Sequence, residues 1–317
     1  MKNNEKKNIV FLVIIVVAVI VSSFASIGVY RYFDNKDEEK QEAQKKEQQS
    51  VASELQALLE EKEISIEEID KAFEEKLPLL DKTTATGFID SLAYLTYYNI
   101  SLVGELTEAE ILLVYEALDA EGTYDESLMV DDSLKQKLGA LIESHARIGE
   151  VNGNINISVD YGYFVNTYGE YMEDDYKAIF KFYDKEQKES YIDVEKEELM
   201  CDVLVDRIEE LCSLCVIYKD SGLLDVFKST KDFYMKEYLG VYSPGKVFEG
   251  EDLLKEYVME SYKKVSEDKE SPIKDDIDKV LEVYAQTENK KTPEVESLLF
   301  DITNMTNQEI TNQEASE

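Results

Sequence analysis

Apolar and polar positions along the chain fall into three regimes. The first runs from Ile9 to Tyr30, 22 residues without a charge, and from Ile9 to Val21 it is apolar without a break. At about 1.5 Å rise per residue such a segment spans roughly 33 Å, enough to cross a hydrocarbon core of about 30 Å. Lys2, Lys6 and Lys7 precede it and Arg31 closes it. The pattern predicts a short cytoplasmic tail at 1–8, a single transmembrane anchor at 9–30 and a body on the extracytoplasmic side. Ser23-Phe24-Ala25 also offers a small-x-small signal-cleavage site, which would release the body as a secreted protein. Phe24, Ile27, Val29 and Tyr30 carry the apolar character past that site and favour a retained anchor.

The second regime, 31–49, is a charged stalk. Asp34 to Gln49 is almost wholly Asp, Glu, Lys, Gln and Asn, with no apolar stripe, and reads as solvated helix or disordered chain. From residue 50 the third regime has helical period almost throughout. Val51, Leu55, Leu58 and Leu59 form one stripe. Ser65 with Glu68 makes a capping box before Ile66, Ile69, Phe73 and Leu77, and Pro78 stops that helix. Phe88, Leu92 and Leu95 mark the next. Thr107 with Glu110 caps Ile111, Val114 and Leu118, and Ser133 opens a helix reaching His145. Further helices are predicted near 174–187, 195–219, 223–239, 251–266, 272–286 and 293–303. The last two open with Ser271-Pro272 and Thr292-Pro293, a cap residue followed by proline at the first helical position.

One stretch has period two instead. Ile155, Ile157, Val159 and Tyr161 alternate with polar residues, and Asn152-Gly153 before them is a type I′ turn signal. The fold predicted is therefore mainly α: an anchor, a polar stalk and an irregular array of about ten helices, with at most one short β-hairpin near 147–161. The helical body divides into halves at 50–148 and 149–303, followed by a tail at 304–317 expected to be disordered. No repeat near 34 or 40 residues supports a solenoid.

Charge narrows the partners. The chain has 34 Lys and Arg against 69 Asp and Glu, a formal net charge of −35. Beyond residue 33 the balance is 30 basic to 68 acidic, since Lys2, Lys6, Lys7, Arg31 and Glu5 fall away. Neutralising phosphates needs a concentrated basic face, so nucleic acid is disfavoured as a partner. The bilayer through 9–30, and another envelope or surface protein, are the partners expected.

Individual residues offer little chemistry. Cys201, Cys212 and Cys215 lie within about 60° of one helix face, shared with Leu204, Ile208 and Leu211, and read as core thiols. A structural zinc site would need a fourth ligand, for which His145 is the only histidine. Gly240 to Lys246 approaches the phosphate-loop pattern, but Val247 stands where the metal-binding hydroxyl belongs and Pro244 removes a donor. The segment reads as a helix-ending glycine and a loop. Close carboxylate pairs are too common in so acidic a chain to single one out, and no catalytic residue, metal site or cofactor is assigned.

The most suggestive feature is a tyrosine-rich stretch between 161 and 191. Tyr161, Tyr163, Tyr168, Tyr171, Tyr176 and Tyr183 alternate there with Glu170, Glu173, Asp174 and Asp175. Such a surface could hold a cation or basic peptide, or stack on sugars. Three functions follow. A non-catalytic protein-interaction module leads, and it predicts an exposed apolar or aromatic patch. A receptor for a cationic or sugar ligand through the 161–191 segment comes second. A carboxylate-dependent hydrolase of surface polymers comes third.

Overall fold

The computed structural model describes residues 38–61, 65–250 and 252–305. The anchor expected at 9–30, the first residues of the stalk and all but the start of the tail lie outside these. Among the described residues no helix is long and apolar enough to cross a membrane. The described chain is mainly α, with thirteen α-helices and short strands only. It divides into two compact units, one comprising the chain to Glu150 with Ile155–Asp184, the other Val151–Asn154 with the chain from Lys185.

The first unit begins with α1 (Glu38–Glu60). The polar stalk residues 38–49 are thus helical and run straight into Val51 and Leu55, which are buried. Both expected capping boxes form. In α2 (Ile66–Lys76) Ser65 accepts from the Glu68 N–H while the Glu68 carboxylate accepts from the Ser65 N–H, and Thr107 and Glu110 do the same for α4 (Glu108–Glu116). Between them α3 (Lys82–Val103) is capped by Asp81, which accepts from the Thr84 N–H. Asp131, not Ser133, caps α5 (Asp132–Glu143). His145 therefore lies past the helix end, in the left-handed region at φ +65°.

The expected hairpin is β1 (Ala146–Val151) and β2 (Asn154–Val159), joined by Asn152 and Gly153 at φ +55° and +77°. Two left-handed residues in a row are what the primed turn requires, hence Asn-Gly. One core of this unit gathers Val114, Ala117, Leu134, Leu138, Leu141 and Ile148, with Ile155 and Ile157 packed against it. Tyr161 departs from the expectation: it opens α6 (Tyr161–Tyr168), because the Asp160 carboxylate accepts from the Tyr163 N–H and caps a helix there. The last helix is α7 (Asp174–Glu186).

The second unit adds two more hairpins where at most one was expected in the whole chain. β3 (Ile192–Asp193) pairs with β4 (Glu198–Leu199), and β5 (Phe248–Glu249) with β6 (Leu253–Leu254), all antiparallel. Ladders two residues long are too short to show alternation in sequence. The first displaces the expected start of a helix from 195 to α8 (Cys201–Ile217). α9 (Leu224–Tyr238) packs along α8, and Gly240 ends it at φ +73°. A Cβ at Gly240 would lie 2.7 Å from Cβ of Val247, so the turn into α10 (Pro244–Val247) needs glycine twice over. Next come α11 (Glu256–Glu267), α12 (Lys274–Gln286) and α13 (Pro293–Met305). Thr292 faces the Val295 N–H as expected, but α12 starts at Lys274 and the buried Ser271 hydroxyl caps nothing.

Candidate functional site

Each of the six tyrosines expected to form a ligand surface is buried or half-buried, and five of them separate into two groups. Tyr161 meets Phe180 edge-on at 4.9 Å and Tyr183 at 5.0 Å, and Tyr176 meets the same Phe180 at 6.5 Å. Tyr163 and Tyr168 turn instead toward α2. Tyr171 sits on the turn between α6 and α7, its phenol pushed upward in pKa by a hydrogen bond to Glu170. Burial, with the Asp90 charge nearby, raises Tyr176 to about 12.

The second group is built around one carboxylate oxygen. Asp70, on the inner half of α2, accepts at Oδ1 from the Tyr168 hydroxyl at 2.8 Å, and His145 Nε2 lies 3.0 Å from the same oxygen. The left-handed backbone at His145 turns its ring back over the end of α5. There it stacks on Tyr163 at 4.0 Å and 12°, and the Tyr163 hydroxyl is 3.5 Å from that of Tyr168. Phe73, one turn after Asp70, closes the group edge-on to Tyr168. His145 is only 9% exposed and Tyr168 1%. Burial pushes the pKa of both phenols up, so they stay protonated donors. The contact with Asp70 Oδ1 fixes the orientation of the imidazole ring. The side chains of Asp70, His145 and Tyr168 form a clasp that joins α2, the α5 terminus and α6.

The second unit holds a comparable group around Arg207 of α8, which is 1% exposed. Its guanidinium lies 5.4 Å from the ring centre of Tyr191 and 5.3 Å from that of Tyr234. Nη1 donates to the Tyr234 hydroxyl at 3.2 Å and Nη2 to the Glu189 carbonyl. The Tyr234 hydroxyl in turn donates to Glu186. Burial pushes the Glu186 carboxyl up to about 7, against the opposing pull of Arg207. Tyr191 is raised to about 12 by burial and by the Glu237 charge.

The uncharged outer face of α3 is different in kind. Ser91 to Gly104 contains no charged residue, 14 in a row, in a chain of which 32% is charged. The inner side of this stretch is buried through Leu92, Ala93 and Thr96, whose hydroxyl donates to the Ser144 carbonyl at 2.7 Å. The other side puts Tyr94, Tyr97 and Leu102 into solvent at 43%, 62% and 58% exposure, with the two tyrosine rings 6.3 Å apart. At 100° per residue these three fall within about 140° of one face. Asp90 and Glu105 bound the stretch. Among the described residues no group of three or more His, Cys, Asp or Glu is placed to hold a metal ion.

Two outcomes follow from the buried groups. Asp70→Ala strands the Tyr168 hydroxyl, and chemical denaturation should show a loss of about 2–3 kcal/mol, shrinking to about half of that in a Tyr168→Phe background. Glu186 binds its proton more tightly folded, at about 7, than its ordinary value of 4.5. Its contribution is therefore fully present below pH 4.5 and is lost as pH rises through 7. Glu186→Gln should flatten stability between pH 4.5 and 7 and raise it at pH 8, by ~3 kcal/mol at most. Compared with family models, curated proteins and solved structures, the chain matches none.

Proposed function

We propose that this chain is a membrane-anchored extracytoplasmic protein whose helical body binds another envelope or surface protein without catalysis. The observation that carries the reading is the outer face of α3. A row of exposed tyrosine and leucine without a charge, on a body this acidic, costs solvation unless something covers it. Charge sets the chemistry of the cover. The face ends at the exposed Glu105 on a chain of net charge −35, so the partner presents an apolar stripe flanked by Lys or Arg.

The anchor and stalk give that face its place. An apolar segment at 9–30 holds the chain in the bilayer, and the polar part of α1, from Glu38 to Ser50, adds roughly 20 Å of helix before the first buried residue. Distance from the lipid suits an acidic body, which anionic headgroups repel. Bulky apolar groups in the second unit do not form so long an uncharged row; Phe233 and Tyr242, for example, lie beside Lys236.

The test is crosslinking on intact cells with a membrane-impermeant, lysine-reactive reagent. Body lysines beyond residue 33 should react and one stoichiometric partner should be recovered. Tyr97→Glu with Leu102→Glu should abolish its recovery while leaving the helical circular dichroism unchanged, and Tyr242→Glu should not affect it. Recovery undiminished by the α3 pair would contradict the reading of that face. Unreactive body lysines, in cells whose other surface proteins react, would contradict the topology.

A further inference from the structure

The second unit carries an open cleft of about 460 Å³, formed by the β3–β4 hairpin, the first turn of α8 and one face of α11. That volume is of the size of small-molecule sites. Its floor is Leu199, Cys201 and Val203 on one side and Tyr257 and Ser261 on the other. The polar atoms of the floor are already used. Tyr257 accepts from the Leu199 N–H at 3.1 Å and donates to the Lys246 carbonyl, and the Ser261 hydroxyl pairs with that of Tyr238 at 2.8 Å. Burial pushes the Cys201 thiol up to about 11, so it is uncharged at neutral pH. With no polar group left to satisfy, this floor suits the apolar body of a ligand.

The rim sets the sign of the ligand's charge. Six ionisable side chains surround the opening, and two pairs among them neutralise each other: Lys196 with Asp193 and Lys264 with Asp202, both at 2.7 Å. Glu198 and Glu260 remain: among the described residues neither side chain makes a direct ion pair or hydrogen bond, and Glu198 acts on Lys196 only at longer range. An opposing influence is the N-terminus of α8, where Met200 provides no side-chain cap and the first N–H groups favour an anion. Two unpaired carboxylates outweigh a helix end equivalent to about half a charge. The field of a chain at −35 acts in the same direction.

We infer that this cleft binds a small organic cation, an alkylammonium group whose carbon body lies on the Leu199–Tyr257 floor and whose ammonium faces Glu198 and Glu260. The same chemistry is offered by a free amine and by a lysine side chain. This site is separate from the α3 face and does not rest on that reading.

Cys201 reports on the floor directly. The full chain with Cys212→Ser and Cys215→Ser, in neutral detergent, is treated with 2-aminoethyl, methyl and 2-sulfonatoethyl methanethiosulfonate. A Cys201→Ser chain, in which Cys212 and Cys215 react, supplies the effect of overall charge. The ratio of cationic to anionic labelling rates should be at least about tenfold higher at Cys201 than at the other two thiols. Glu198→Gln with Glu260→Gln should bring it down to theirs. Hexylammonium should protect Cys201 and hexanoate should not. Protection by Nα-acetyl-lysine methylamide as well points to a lysine side chain as the natural occupant, and protection by hexylammonium alone to a free amine. Equal ratios at all three thiols, a ratio unmoved by the two glutamine substitutions, or no labelling of Cys201 by any reagent would each overturn the proposal.

Discussion

Carboxylates outnumber ammonium and guanidinium groups by 69 to 34, so half of them have no counter-ion within the chain and must be stabilised in other ways. Helix N-termini are the main recourse. Acids occupy the first turns of α2, α4, α7, α12 and α13, and Asp81, Asp131 and Asp160 act as caps. Such placements are favourable because the free N–H groups and the helix dipole attract a negative charge, most where a side chain accepts backbone donors. Glu110 shows the effect: the Thr107 N–H and hydroxyl, joined by Lys137, hold its carboxyl down at about 2. Many short helices, each with its own N-terminus, are a favourable arrangement for so acidic a chain.

The interior answers the same shortage with tyrosine. Two buried groups, one in each unit, hold a charge among phenol rings and hydroxyls: Asp70 with Tyr168 and Tyr163, and Arg207 with Tyr191 and Tyr234. A phenol contributes apolar area and one hydrogen bond together, which suits it to enclosing a charge. Arg207 is the one buried Lys or Arg among the described residues, and cation–π contact with two rings compensates part of its lost hydration. Tyr163, Tyr168 and Tyr191 of the 161–191 stretch are engaged in this way. The exposed aromatic groups on α3 have no such internal task, which is why the functional reading rests on them.

Local signals were legible in the sequence and distant contacts were not. Both capping boxes, the Asn152-Gly153 turn and the glycine end at Gly240 depend on residues within a few positions of one another, and their chemistry is visible in the string. The bond between Asp70 and His145 joins residues 75 apart, and nothing in either neighbourhood announces it. Two-residue ladders such as β3–β4 leave no period to detect, so the start of α8, and with it the placing of Cys201 at a cleft, could not be read. The α3 face is intermediate. Fourteen uncharged residues in so charged a chain stand out in the string, but only packing shows that Leu92 and Thr96 point inward and Tyr94 and Tyr97 outward.

These elements make a body whose acids are stabilised locally and whose interior charges are enclosed, with one long uncharged face left in solvent. Covering of that face in the native membrane is the central claim. It is tested most directly by hydroxyl-radical footprinting of tyrosine side chains, comparing intact cells with the purified full chain. Tyr94 and Tyr97 should be oxidised in the purified chain and protected in cells, while Tyr242, also exposed, is oxidised equally in both. Equal oxidation of Tyr97 in the two settings would contradict the account.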